Sequence, residues 1–406
     1  MNETRIAARV RRIKPSPSTA AADRANALRR EGRSIVNLVV GEPDFDTPPH
    51  IRQAAARAIE AGATRYTPMA GTVELRAAII AKLARENGLT YAADEIIVTN
   101  GAKSAIFSAL AATLEPGDEV IIPAPYWVSY PDMVIASDGT PVTVACPERQ
   151  GFKLLPAQLE AAITPRTRWL LLNAPANPTG ASYSVAEYRA LAAVLERHPH
   201  VLAMTDDIYE HIRFDGGRTP HLLEAAPQLR DRTLAINGVS KTYAMTGWRI
   251  GWVAGPRDLV RAIDTLLSQS AGNCCSVSQA AATEALNGDQ SFVAESVAIY
   301  RMRRDRMAER INAIPGLGCA LPEGAFYLYV NCAGLLGRRT GQGKVLETDM
   351  DVVLFLLEEA GVAVVAGSAY GLSPYFRLSI ATSLDVLMAG ADRISRAVAG
   401  LGGSGA

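Results

Sequence analysis

The stretch "EIIVTNGAKSAIFSALAATLE", residues 95–115, reads as a short apolar strand, a turn and a helix. Ile96, Ile97 and Val98 form a run without polar alternation, as a strand buried on both faces requires. Asn100 and Gly101 break the run, and the residues that follow carry apolar side chains at helical spacing. The same texture repeats outward. "TPPHIRQAAARAIEAG" (47–62) predicts a helix capped by Thr47, with prolines in its first turn and Gly62 at its end. "DEVIIPAP", "RWLLLNAP", "VLAMTDDIY", "TLAINGV" and "RIGWVAG" are further apolar runs, separated by helical patterns as far as residue 290. Such strands alternating with helices predict an α/β protein with a mainly parallel sheet. After residue 320, "AFYLYV" and "FRLSIATS" alternate more strictly, which predicts strands buried on one face. Residues 1–46 carry no alternation of elements. The expected organisation is a large α/β domain, 47–305, and a smaller α+β domain drawn from 1–46 and 306–406.

The totals narrow the function classes. The 406 residues suffice for two or three domains of roughly 150 residues. Apolar residues make up 49%, as in a globular chain. Lys+Arg and Asp+Glu both total 41, so the formal charge is zero and gives no argument for nucleic acid or an anionic membrane. The one local exception, "YRMRRDRMAERI" (300–311), is expected to be a solvated helix face. The five cysteines are odd in number and form no C-x-x-C pair, and the five histidines show no H-E-x-x-H spacing. A reducing compartment, free thiols and no metal are therefore expected. No apolar run approaches a membrane span, and the arginines near the N-terminus precede no apolar core, so a cytoplasmic location is expected.

In a parallel α/β sheet, ligands bind beyond the carboxyl ends of the strands. Several unusual residues fall there. Gly101, Ala102 and Lys103 stand between a strand and a helix start, where free N–H groups and the helix dipole suit a phosphate. "MTDDIYEHI" ends a strand with Asp206 and Asp207, then Tyr209; spacing alone does not choose between the two acids. "NAPANPTG" sets Asn177 in a tight turn, which turn chemistry alone explains. "PAPYWVSYP" puts Tyr126 and Trp127 after a strand, as core packing or as rings that stack on a ligand. In "FRLSIATS" a period of two sets Phe376, Leu378 and Ile380 on one face and Arg377 with Ser379 on the other; a buried arginine there needs an anion. "NGVSKTYAMTGWRIGW" (237–252) places Lys241 behind a glycine-bearing turn, with Arg249 eight residues on. Pyridoxal 5'-phosphate needs these parts together: a lysine amine for its aldehyde, a carboxylate beside its pyridine nitrogen, a phosphate cradle and an arginine for the substrate carboxylate.

From "KPSPST" (14–19) and "GEPDFDTPPH" (41–50), through "YTPMAG", "PYWVSYPDM", "NPTG", "DDIYEH" and "SKTYAMTGWRIGW", to "EGAFYLYV" and "FRLSIATS", the chain resembles bacterial class I aminotransferases of the aspartate aminotransferase type. These belong to the fold-type I group of pyridoxal-phosphate enzymes. "NCAGLLGRRTGQGKVLETDMD" (331–351) resembles an insertion in the aspartate/prephenate branch. The resemblance implies that Lys241 is the Schiff-base lysine and the proton-transfer group, Asp206 the partner of the pyridine nitrogen, and Tyr209 and Asn177 the hydrogen-bonding partners of the cofactor's 3'-oxygen. It implies that Trp127 packs on the cofactor ring, and that Arg249 with the backbone of Gly101, Ala102 and Lys103 holds the phosphate. Arg377 resembles the substrate carboxylate clamp, with Gly41 offering a backbone N–H. Tyr66 matches a tyrosine that reaches the neighbouring subunit's phosphate, which implies a homodimer with shared active sites.

The implied activity moves an amino group between an L-amino acid, aspartate or glutamate foremost, and 2-oxoglutarate or oxaloacetate, in a ping-pong cycle. Lys103, with Ser16 and Ser18 on a closing N-terminal segment, would meet the second carboxylate. An aromatic or prephenate aminotransferase is the alternative, and a lyase on the same scaffold a further one. The chain also departs from the family pattern. Gly238 fills a position often held by serine, "APANPTG" replaces a commoner "SPNNPTG", Ile380 stands where many relatives have tyrosine, and Cys274–Cys275 follow Asn273 where proline is common.

Overall fold

The computed structural model describes residues 5–402 apart from residue 16. Among the described residues, β1 (Val36–Asn37) precedes seven strands of one central sheet: β2 (Ile96–Thr99), β3 (Glu119–Ala124), β4 (Thr140–Ala145), β5 (Thr167–Asn173), β6 (Leu202–Asp206), β7 (Thr233–Gly238) and β8 (Gly251–Ala254). Their spatial order is β2-β8-β7-β6-β5-β3-β4. The pairs from β7 to β4 are parallel, whereas β8 runs antiparallel to both β2 and β7. The mainly parallel α/β fold expected from the apolar runs is the one found.

Strand β5 shows why those runs lack alternation. Its period of two sends Trp169 and Leu171 into one core and Leu170 and Leu172 into the core on the opposite face. Helices cover both faces, so the run Trp169–Leu172 is buried throughout. The C-terminal part adds β9 (Tyr327–Asn331), β10 (Val362–Ala363), β11 (Val365–Ala366) and β12 (Tyr375–Ser379). Strands β11, β12 and β9 form an antiparallel sheet, and β10 pairs in parallel with β1. A separate apolar core gathers side chains of these strands with those of the helices Ser291–Asn312, Asp349–Glu358 and Leu384–Ala399.

Three local expectations are corrected. First, Thr47 does not cap the helix Pro49–Glu60, whose N-cap is Pro48. The Thr47 hydroxyl instead donates to the Ala244 carbonyl at 2.6 Å and accepts from Trp248 Nε1 at 3.0 Å, fastening the loop after Lys241. Second, β9 and β12 are buried along nearly their whole length, not on one face only. The polar face of β12 is covered because it closes against the large sheet's carboxyl edge. Third, the arginine-rich segment 300–311 is not a plain solvated face. Arg303 is buried and pairs bidentately with Asp44 at 2.8 and 2.9 Å, while Met302 lies outside, 42% exposed.

Candidate active site

Lys241 leaves β7 through Gly238, Val239 and Ser240 and reaches a cavity of about 420 Å3 at the carboxyl edge of the sheet. Its Nζ donates to the Gly41 carbonyl at 2.6 Å. Burial pushes this amine down to about 8; Arg377 and Arg249 add to the effect, and Glu42 and Asp206 oppose it.

Asp206 ends β6 on the cavity floor. Its Oδ2 accepts from Tyr130 Oη at 2.6 Å, and burial, with Asp207 adding, raises its carboxyl from 3.8 to about 6 against the Tyr130 hydrogen bond. Asp207 points to the other side of the strand. It accepts from Thr205 Oγ1 at 2.7 Å and faces His221 Nε2 at 3.2 Å. His221 Nδ1 accepts from the Leu223 N–H, which assigns the ring proton to Nε2. The alternation of a strand thus separates two acids that spacing left equivalent.

The raised carboxyl makes a testable statement about stability. Between about pH 4 and 6 the folded, ligand-free protein holds a proton at Asp206 that the unfolded chain has released. Stability contributed by this group therefore falls as pH rises through that window, and the cost persists above it. A shift of about two pH units corresponds to ~3 kcal/mol. Asp206→Asn is expected to stabilise the ligand-free protein by about that amount at pH 7.5 and hardly at all below pH 4. Denaturant titrations at both pH values check it.

The opposite wall comes from distant parts of the chain. Arg377 of β12 is 3% exposed; its Nη1 donates to Asn177 Oδ1 at 3.1 Å and its Nη2 to the Val39 carbonyl. The guanidinium lies 4.3 Å from the Tyr327 ring centroid, and its Nε is buried without a partner among the described residues. Tyr209 Oη is 2.9 Å from Tyr327 Oη, and burial drives the Tyr209 phenol well above its ordinary pKa. Trp127 packs edge-on against Tyr130, and Lys103 Nζ lies 5.2 Å above the Trp127 ring.

The helix Ala102–Ala111 begins at the cavity, and among the described residues no backbone carbonyl takes up the N–H of Ala102 or Lys103. Gly101 precedes it with φ +82°, and a Cβ there would lie 2.5 Å from Arg249 Nη2. That glycine lets the guanidinium close over the helix start. Gly238, at the position where relatives often carry serine, has no room for a side chain: a Cβ would meet the Ile250 carbonyl at 2.8 Å. The hydroxyl of Ser240 lines the cavity nearby.

The structure therefore brings Lys241, Asp206, Tyr209, Asn177, Trp127, Arg249, Arg377, Gly41, Ala102 and Lys103 around one cavity, with Gly101 beneath Arg249. Tyr66 is elsewhere, 96% exposed on the surface beside Ser276. Ser16 and the side chain of Ser18 lie outside the described residues. Sequence reasoning missed Tyr130, Asn173 and Tyr327, and also Thr19 and Ala22 of the helix Pro17–Arg30. The second tyrosine of "PYWVSYPDM" and the strand-end asparagine of "LLLN" were readable signals; Thr19 and Ala22 carried none.

The donor set fits pyridoxal 5'-phosphate. It combines an amine of lowered pKa, a deep carboxyl, free N–H groups with a guanidinium at a helix start, and a buried Arg377 donor without a partner. Comparisons with known proteins agree. The family model for "Aminotransferase class I and II" matches residues 33–394. An aspartate aminotransferase of Rhizobium meliloti (strain 1021) is 55% identical over 376 residues, 92% of this chain and 91% of its own. An aspartate/prephenate aminotransferase of Cereibacter sphaeroides is 52% identical, covering 96% and 98%. A crystal structure of the Rhizobium meliloti aspartate aminotransferase superposes with a TM-score of 0.96 at 52% identity, covering 98% and 99% of the two chains. Thermus thermophilus aspartate aminotransferase with maleate gives 0.90 at 40%, covering 97% and 99%.

Proposed function

This chain belongs to the class I and II aminotransferases, and we propose that aspartate and glutamate are its amino donors and that oxaloacetate and 2-oxoglutarate are its acceptors. It is a pyridoxal-phosphate-dependent enzyme that moves an amino group between an amino acid and a 2-oxo acid. The observation that carries the reading is the convergence of Lys241, Asp206 and Arg377 on one cavity, each in a state suited to a different part of the reaction.

When bound, pyridoxal 5'-phosphate supplies a carbonyl that joins to amines and an electron-poor ring that draws charge from the substrate's Cα. Arg249 and the N–H groups of Ala102 and Lys103 would hold its phosphate. Asp206 would stand against its ring nitrogen as a carboxylate, and Tyr209 and Asn177 would donate to its ring oxygen. Arg377 would take the substrate's α-carboxylate through its planar fork, with Gly41 beside it. Lys241, half neutral near pH 8, would remove the α proton at Nζ and return it to the carbon that was the cofactor's carbonyl, two bonds from Cα. Large unit 47–305 and small unit 1–46 with 306–406 would close on each other to exclude water.

The dicarboxylate preference rests on Lys103, with Ser16 and Ser18 assigned to the same subsite. Relatives named aspartate aminotransferases support it, as does the Thermus thermophilus relative with maleate, a four-carbon dicarboxylate. The ammonium of Lys103 over Trp127 also favours a second reading, prephenate or an aromatic keto acid as acceptor. It is not locked in a bidentate pair and so can accommodate more than one side chain. A panel of amino acids, each mixed with loaded protein without any acceptor, separates these. Release of one equivalent of 2-oxo acid from aspartate and glutamate alone, with no amination of prephenate then added to the protein so charged, supports the first reading; equal release from phenylalanine or tyrosine, or amination of prephenate, moves the assignment to the second. Lys103→Ala is expected to lower kcat/KM for aspartate about 10–100-fold, the range for a hydrogen bond to a charged group, and to leave phenylalanine nearly unchanged.

The exposed Tyr66 supports a homodimer in which this ring completes the partner's phosphate site. Tyr66→Phe is expected to weaken cofactor binding while sedimentation still reports a dimer; a monomeric wild type would rule this out. Free cysteines support a cytoplasmic location. Among the described residues, no helix is long and apolar enough to cross a membrane.

A further inference from the structure

Lys82, in the helix Val73–Asn87, is fully buried although the reaction does not use it. Its ammonium pairs with Glu210 Oε1, donates to Asn87 Oδ1 at 2.8 Å and lies 3.5 Å from Glu86 Oε2. Glu210 follows Tyr209 directly. Its Oε2 accepts from Asn87 Nδ2 at 2.8 Å, and its Oε1 also accepts from Asn237 Nδ2 at 2.5 Å. Asn237 in turn accepts from the Gly238 N–H at 2.7 Å, three residues before Lys241. His211 makes a second tie, from Thr242 Oγ1 at 3.1 Å to Glu86 Oε2 at 2.9 Å. Burial pushes the Glu210 carboxyl up, but Lys82 and His211 outweigh it and hold it down at about 2. Glu86, Glu210 and His211 converge closely enough to ligate a metal, but the Lys82 ammonium already supplies the cation between the two acids.

An apolar pair of similar volume would be about as stable as this ion pair, because burying two charges costs what their attraction returns. What the charges add is direction. Three donors on the two oxygens of Glu210 fix it relative to both the helix and β7.

We propose that the Lys82–Glu210 pair, through Asn237 and His211, is a positioning device for the reaction. It fixes the loop 206–211, which bears Asp206 and Tyr209, against the loop 237–242, which bears Lys241. The proposal rests on the roles given to Lys241 and Asp206 above.

The test uses Lys82→Met/Glu210→Gln, which removes both charges together, and Asn237→Ala, which cuts the link from Glu210 through Asn237 to the Gly238 N–H. Ile263→Ala, a core truncation that touches none of these hydrogen bonds, serves as the control. Three quantities are read: melting temperature, the dissociation constant of pyridoxal 5'-phosphate from the re-loaded protein, and the pH midpoint of the loaded protein's visible absorbance. The double variant is expected to melt near the wild type, yet bind cofactor about 10–100-fold more weakly, as outer-shell losses do, and shift the pH midpoint. Asn237→Ala shifts both in the same direction, and it decides the matter if the double variant does not fold. Ile263→Ala lowers the melting temperature and moves neither. Unchanged affinity and midpoint in Asn237→Ala and the double variant overturn the proposal. Borohydride reduction of the loaded wild type, followed by peptide mapping, reports separately on Lys241; a label on another residue overturns the underlying reading and this proposal with it.

Discussion

Lys241→Ala is expected to lose covalent attachment of the cofactor and to lower turnover by about four orders of magnitude. General acid–base transfer alone is worth up to ~10^4, and no other amine replaces it. Lys103 Nζ lies over the Trp127 ring, and Lys82 is sequestered with Glu210. Lys241→Arg distinguishes charge from proton transfer. The guanidinium keeps the positive charge beside Gly41 but stays protonated at any working pH, so this variant is expected to be as inactive as alanine. In the ligand-free wild type, Lys241 should acylate with a half-maximum near pH 8, its lowered value, well below an ordinary lysine. Mass spectrometry of peptides labelled across pH 6–10 checks this, and a half-maximum above pH 10 refutes the lowered pKa.

Arg377→Ala has the second-largest expected effect. Removing one member of a buried, hydrogen-bonded charge pair costs about 3–4 kcal/mol, so kcat/KM for every amino acid should fall ~10^2–10^3-fold. Most of that loss should appear in KM, because the α-carboxylate is held in the ground state as well as in the transition state. Arg377→Lys is not expected to restore it, since a point charge cannot replace the planar fork. The variant also leaves Val39 O and Asn177 Oδ1 without their donor, which costs stability. Substrate saturation curves with aspartate and with alanine check the prediction. An effect confined to aspartate would assign Arg377 to the side-chain carboxylate instead.

The sheet was legible because most of its strands are buried by helices on both faces, and that burial writes itself locally as an apolar run; the edge strand β4, nowhere fully buried, carries no such run and was not read. Residues at strand ends, such as Asp206 and Lys241, were legible for the same reason. Their polarity interrupts those runs at the edge where ligands bind. What could not be read depends on contacts between distant segments. Thr47 looked like a cap because its partners, Ala244 and Trp248, lie about two hundred residues away. Arg303 looked solvated because Asp44 is equally remote. Strand β12 looked half-exposed because the surface that covers Arg377 belongs to Val39, Asn177 and the rings of Tyr327 and Tyr370. Spacing left Asp206 and Asp207 equivalent and only the family resemblance chose Asp206; the physical difference lies with His221 and Tyr130, each from another element.

Strand β8, which runs against its neighbours, has a consequence for how this site can change. Reversal makes its beginning meet the ends of β2 and β7, so a single hairpin from Gly238 to Gly251 delivers both Lys241 and Arg249 to the same edge. Those two groups belong to one short segment of chain, anchored at both ends by the pairing of Gly238 with Gly251. Arg377 arrives on a different sheet, from a different core, with no covalent neighbour in common. The site is thus modular. One cassette carries the amine and the phosphate guanidinium, and the group for the carboxylate shared by every substrate stands on the other sheet, so the two can be altered separately.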